Sequence, residues 1–265
     1  MILRLGVAAI GLSALLPAVI FGGQLAVDIM VGLAVAICVA EYATMAFPSD
    51  RWAKGGVLAA VTAALYATVL YSDQPGLSVA LALCVVASLV FMTLRPGETL
   101  EGTADDAGRI VLGAVWLCML AFLVLLRREE HGLGWLFLVL ATSWLGDTGG
   151  YFSGRAFGSR KLYPRVSPKK TWEGVAGGVT LSTAGALVVR YVGLSELSVV
   201  DCLLLGVLLS VAGVVGDLSE SMLKRSFEVK DSGWVVPGHG GLLDRIDSVL
   251  FAAPLLYGWV ILVEG

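Results

Sequence analysis

Residues 76–94 read GLSVALALCVVASLVFMTL, a run without one charged side chain. About 20 such residues in α-helix cross the hydrocarbon core of a bilayer. A helix satisfies every backbone N–H and C=O within its own segment, which lipid requires because it offers no water. Working outward from this run, the same ruler finds eight more. The nine are roughly Ile2–Gly22, Leu25–Phe47, Gly55–Tyr71, Gly76–Leu94, Gly108–Leu126, Leu133–Phe152, Gly174–Tyr191, Val199–Gly216 and Ile246–Val263. The sixth is the least regular, because its clean apolar part ends at Leu145 and Asp147 follows. The first is read as an uncleaved helix rather than a signal peptide, since its run is long for an h-region. The fold class is therefore all-α, a polytopic membrane helical protein with about nine spans.

Composition agrees. Of 265 residues 57% are hydrophobic and 15% charged, against about 25% charged in soluble domains. Charges are gathered between the apolar runs, and no polar stretch is long enough for a separate soluble domain. We divide the single membrane domain into N-terminal spans (1–126) and a second half (127–265) that holds the polar segments 147–178 and 216–248. Cys38, Cys84, Cys118 and Cys202 each lie inside an apolar run, outside any C-x-x-C pair, and read as small buried hydrophobes. Fifteen of the 18 Lys and Arg fall on the side of the N-terminus and the even-numbered loops; Arg127, Arg128 and Arg190 fall on the other. The positive-inside bias then predicts a cytoplasmic N-terminus, cytoplasmic long polar loops and an external C-terminus. The acidic Glu98–Asp106 stretch reads as a solvated linker.

Two segments of this side carry the chemistry. In 147–178, Asp147 ends a span, where an ionisable group is costly without a partner or a function. Gly149 and Gly150 permit close backbone approach and unusual turns. Ser167, Lys169, Lys170 and Thr171 then precede an apolar helix, an arrangement suited to phosphate, although no P-loop pattern is present. In 216–248, helical spacing puts Asp217, Glu220, Ser221 and Lys224 on one face, and Asp244 and Asp247 are i and i+3 at the start of the last span. Oxygen ligands at a membrane edge suit magnesium; zinc spacings are absent. Single-residue explanations also exist: Glu220 pairing with Lys224, Asp247 capping a helix or pairing with Arg245, and His239 satisfying loop backbone. Cations for phosphate beside carboxylates for magnesium suggest phosphoryl or nucleotidyl transfer with a lipid substrate.

The second segment resembles the signature of the phosphatidate cytidylyltransferases, or CDP-diacylglycerol synthases: S-x-x-K-R-x-x-x-x-K-D followed by P-x-H-G-G-x-x-D-R-x-D. It matches at Ser221, Lys224, Arg225, Lys230, Asp231, Pro237, His239, Gly240, Gly241, Asp244, Arg245 and Asp247. The blocks Asp147–Arg155 and Ser167–Gly174 also look like the family's, with Gly149-Gly150 where Gly-Ala is more usual. The resemblance covers roughly the C-terminal half. It implies CTP and phosphatidate as substrates, a magnesium requirement with a second metal or a monovalent cation left open, and a homodimer. The implied roles place the metal on Asp217 and Asp244, with Asp147 and Asp247 supporting or ligating it. Ser221, Lys224 and Arg225 grip a phosphate, Lys169 and Lys170 take the triphosphate, and Ser167, Thr171, Lys230, Asp231, His239 and Arg245 line the substrates. No nucleic-acid partner is expected. A CTP-dependent polyprenol kinase and an ion-coupled transporter remain as alternative readings.

Overall fold

The computed structural model describes residues 16–72, 74–94, 101–235 and 240–264. Its elements are α1 (Gly23–Ala46), α2 (Arg51–Tyr71), α3 (Gln74–Leu94), α4 (Thr103–Cys118), α5 (Ala121–Arg128), α6 (Gly132–Phe157), β1 (Lys161–Tyr163), β2 (Ser167–Thr171), α7 (Trp172–Gly193), α8 (Val199–Ser226) and α9 (Leu243–Trp259). A π-helical turn, Val260–Glu264, continues α9. Among the described residues, seven helices are long and apolar enough to cross a membrane, with α4 and α5 counted as one and α9 running on to Val263. The expected count of nine differs for two reasons. Most of Ile2–Gly22 lies outside the described residues. The sixth span is the 26-residue α6, long enough but diluted by Asp147, Arg155 and many glycines. Large apolar side chains stand outward, including Leu83, Val86 and Leu89 on α3, as a lipid-facing surface requires. All four cysteines are buried and free.

Several boundaries move because polar residues find partners inside the bundle. α2 begins at Arg51, four residues earlier than expected, and Lys54 on it is buried against Asp106, 2.6 Å away. Asp106 belongs to the first turn of α4, where a carboxylate also meets the positive end of the helix dipole. This part of the acidic stretch is thus a packed helix start and not a solvated linker. Glu98 lies outside the described residues. The fifth span is interrupted at Met119 and Leu120, whose N–H groups bond back three residues to Trp116 and Leu117, a tightening of the 3₁₀ type.

The most extensive helix contact is between α6 and α7. Gly146, Gly149, Gly150 and Gly154 on α6 face Gly174, Gly177 and Gly178 on α7, so backbone meets backbone. Small residues are the usual means of close helix approach in membranes, where apolar side chains gain nothing by leaving lipid. The glycines therefore serve close approach, while the unusual turns expected at Gly149-Gly150 do not occur, since α6 is helical through Phe157. A Cβ added at Gly149 would lie 2.5 Å from the Gly177 carbonyl oxygen, and backbone cannot rotate away. Gly149→Ala is expected to destabilise the fold by ~1–3 kcal/mol. Thermal unfolding in detergent checks this: a midpoint at the wild-type value would contradict the tight interface.

Candidate functional site

Glycine packing sets the depth of the first polar group. Asp147 sits ten residues before the end of α6, on a helix drawn against α7. The chain then turns into an antiparallel hairpin that pairs Lys161 with Thr171 and Tyr163 with Ser167. These are the only strands among the described residues, and they depart from the all-α expectation at one place. Lys169 and Lys170 come from β2, and it is Thr171 that caps α7, its Oγ1 accepting from the Gly174 N–H at 3.1 Å. Glu173 in the first turn of α7 accepts from Ser159 Oγ at 2.6 Å and from the Arg160 N–H. The hairpin is thereby tied to the helix that carries it.

On the opposite wall, α8 continues ten residues past its expected end at Gly216, to Ser226. Asp217, Glu220 and Lys224 are thus helical, on the face expected from their spacing. Ser221 Oγ donates to Asp217 Oδ1 at 3.3 Å. α9 approaches α8 over Gly213 and Gly216; a Cβ at Gly216 would lie 2.5 Å from the Asp247 carbonyl oxygen. That approach carries Asp244 and Asp247 to the same cavity.

The cavity, of about 760 Å³, is walled by α6, β2, α7, α8, α9 and Asp231. Asp147, Lys169, Lys170, Thr171, Asp217, Glu220, Lys224, Asp244, Arg245 and Asp247 all line it. Two cation–carboxylate arrangements organise it. Lys224 Nζ stands 2.5 Å from Glu220 Oε2 and 2.5 Å from Asp244 Oδ1, with all three side chains nearly or wholly buried. The other Asp244 oxygen accepts from the Ser232 N–H (3.0 Å), Ser232 Oγ (2.9 Å) and the Gly241 N–H (2.9 Å). Nearer solvent, Lys170 Nζ rests 2.6 Å from Asp217 Oδ2. Asp247 is buried, and the carboxylates of Asp217, Glu220 and Asp147 are its charged neighbours. Lys170 and Arg245 act on Asp147 from the other sign. Glu220 Oε1 is buried without a hydrogen-bond partner among the described residues. Among the described residues no three carboxylates form a closed ligand cage.

A bundle with both polar segments facing one cavity can be compared with known proteins as a whole. A family model described as the cytidylyltransferase family matches residues 2–263. The chain belongs to the cytidylyltransferase family. Among its relatives, a protein of Bacillus subtilis named phosphatidate cytidylyltransferase is 41% identical over 179 residues, 67% of this chain and 66% of that protein. Proteins of the same name from Haemophilus influenzae and Brucella suis are 52% and 45% identical over 130 and 136 residues. They cover 47% and 51% of this chain and 44% and 50% of their own lengths. The chain therefore spans from under half to about two thirds of the length of these curated relatives.

In this member of the cytidylyltransferase family, the ten polar residues named above and Asp231, all singled out from sequence, surround one cavity. Ser167, at the start of β2, and Ser221, which bonds Asp217, are not among its lining residues. Arg225 is turned to the Val229 carbonyl at 3.1 Å, and Lys230 is exposed. His239 and Pro237 lie outside the described residues. The expectation that Asp244 would be open to a metal meets a different arrangement, since its two oxygens already accept four donors. Glu220 is more than a surface partner of Lys224, because the pair is buried and shared with Asp244. Sequence reading passed over Glu41. It lies in α1, is buried, and accepts from the Leu242 and Leu243 N–H groups at 2.9 Å each. The available signal was an ionisable residue inside an apolar run.

Proposed function

We propose that this chain transfers a cytidylyl group from CTP to phosphatidate, forming CDP-diacylglycerol and pyrophosphate. The observation that carries the reading is the meeting of Lys169, Lys170 and Arg245 with Asp147, Asp217 and Asp247 in one cavity at an end of an apolar bundle. Phosphates and lipid can reach such a place together. The name shared by the relatives supports the same assignment.

In the reaction a phosphatidate oxygen attacks the α-phosphorus of CTP, and the bond from that phosphorus to the β-phosphate oxygen breaks. The attacking oxygen is already ionised near neutral pH, so no strong general base is required. Lys169 and Lys170 receive the triphosphate, which draws Lys170 away from Asp217. Lys224 and Arg245 offset the repulsion between two anionic substrates, and Ser221, Arg225 and Lys230 are further phosphate contacts on the same reading. The donors suit a hard cation: they are all oxygen, and among the described residues Glu220 Oε1 has no hydrogen-bond partner. Because no three of them are set as a ligand group, waters and substrate oxygens would have to complete the coordination. Asp147, Asp217 and Asp247, with Glu220 beside them, would hold magnesium, which when bound screens phosphate charge and stabilises the leaving pyrophosphate. Asp244, fully engaged, fits an anchor for Lys224 better than a ligand. We place the cavity on the cytoplasmic side, where the basic residues concentrate, and the C-terminus on the external side by the same bias; the family resemblance implies a homodimer.

Pyrophosphate release by protein purified in detergent tests this, with CTP, phosphatidate, magnesium and potassium each omitted in turn. Release that needs CTP, phosphatidate and magnesium, matched by CDP-diacylglycerol, is the expected result. CDP in place of pyrophosphate would mean a lipid kinase. Folded protein inert with every lipid acceptor would end the enzyme reading.

A further inference from the structure

We infer that Glu41, in the N-terminal half of the chain, is a positioning residue for Asp244 and Asp247. This inference rests on the cytidylyl-transfer reading of the cavity. The N-cap residue of α9, Leu242, supplies no side-chain hydrogen bond to its own helix, so the first N–H groups of α9 need an outside acceptor. Glu41 provides it from about 200 residues away in sequence. Its Oε1 accepts from the Leu242 N–H and its Oε2 from the Leu243 N–H, at 2.9 Å each. A carboxylate there also faces the positive end of the helix dipole.

Ser232, Gly233 and Gly241, described residues before α9, pack against the same side chain. Ser232 Oγ lies 3.4 Å from Glu41 Oε2. A Cβ at Gly233 would fall 2.7 Å from Glu41 Oε1, and one at Gly241 would fall 2.6 Å from Oε2. Ser232 and Gly241 are in turn the residues that hold Asp244. A continuous buried chain therefore runs from Glu41 through Ser232 to Asp244, Lys224 and Glu220. Asp247 follows one turn later on the helix whose start Glu41 holds. Displacing that start moves Asp244 and Asp247 together, although Glu41 is not among the residues lining the cavity.

Glu41→Gln is the direct test, because it keeps the shape but turns one acceptor into an N–H that opposes a backbone N–H. The full chain, purified in detergent, is read in two ways. Amide hydrogen exchange at Leu242 and Leu243 is expected to speed up while that of α3 stays as in wild type. The kcat for CDP-diacylglycerol formation is expected to fall about 100-fold, as misplacement of reacting groups by an ångström does, with KM for CTP near wild type and more magnesium needed for half-maximal rate. A loss confined to thermal stability, with wild-type kcat and magnesium dependence, would overturn the inference. Unchanged exchange at both amides would overturn it whatever the activity. A wild-type chain that makes no CDP-diacylglycerol would sink the transfer reading alone, and the exchange arm would still decide the contact. Should Glu41→Gln fail to fold, Gly233→Ala pushes on the carboxylate with its charge retained. A lowered kcat in folded Gly233→Ala supports the inference, and a wild-type kcat overturns it.

Discussion

Lys224→Met is expected to cost about 3–5 kcal/mol of stability, the range for removing one partner of a buried ion pair, and to abolish turnover. The ammonium stands 2.5 Å from Glu220 and from Asp244. Without it two buried carboxylates face each other, with Asp247 close by. The loss arises less from the missing attraction than from the charge left uncompensated on side chains that are nearly buried. Adding Glu220→Gln to the same chain should therefore restore part of the thermal midpoint while activity stays absent. A midpoint unchanged in the single variant would show that the trio does not bear on folding. A double variant no more stable than the single one would assign the loss to packing of the lysine stem.

Asp217→Asn should separate activity from stability in the opposite sense. Asp217 and its partner Lys170 are both partly exposed, at 30% and 24% of their side-chain surface, and ion pairs open to water contribute little to stability. The fold should survive with a nearly unchanged midpoint. Turnover should drop about 10²–10³-fold or more, the scale seen when one preorganised electrostatic group is lost from a reaction centre. The apparent affinity for magnesium should fall with it if Asp217 is a ligand. Near-wild-type activity would remove Asp217 from the centre and leave Asp147 and Asp247 to be tested in its place.

Lys170 and Asp217 form an ion pair on the wall of the cavity. An ammonium occupies the carboxylate that a divalent cation would claim, and the incoming triphosphate competes for the same lysine. Binding of nucleotide and of metal should on this reading favour each other, since each takes one member of the pair.

The membrane build was legible in the sequence because it follows from solvation alone. Runs such as 76–94 have no other stable environment, and excluding charge from lipid needs no partner residue. The same holds for the same-face grouping of Asp217, Glu220, Ser221 and Lys224, which helical spacing dictates, and for the gathering of basic residues into two segments. What a residue is paired with does not follow from its neighbours in the chain. Lys54 lies just before the apolar run at Gly55, but it is helical and pairs with Asp106, 52 residues away. Asp244 looked like a free ligand, but Lys224, Ser232 and Gly241 hold it. The hairpin that presents Lys169 and Lys170 is too short to announce itself by periodicity. Glu41 was one acid in an apolar run, and only the return of α9, some 200 residues later, gave it two N–H groups to accept. Helices and their spacing are local consequences of sequence and solvent; the charge balance of the cavity is set by contacts between distant segments, and only the tertiary structure decides those.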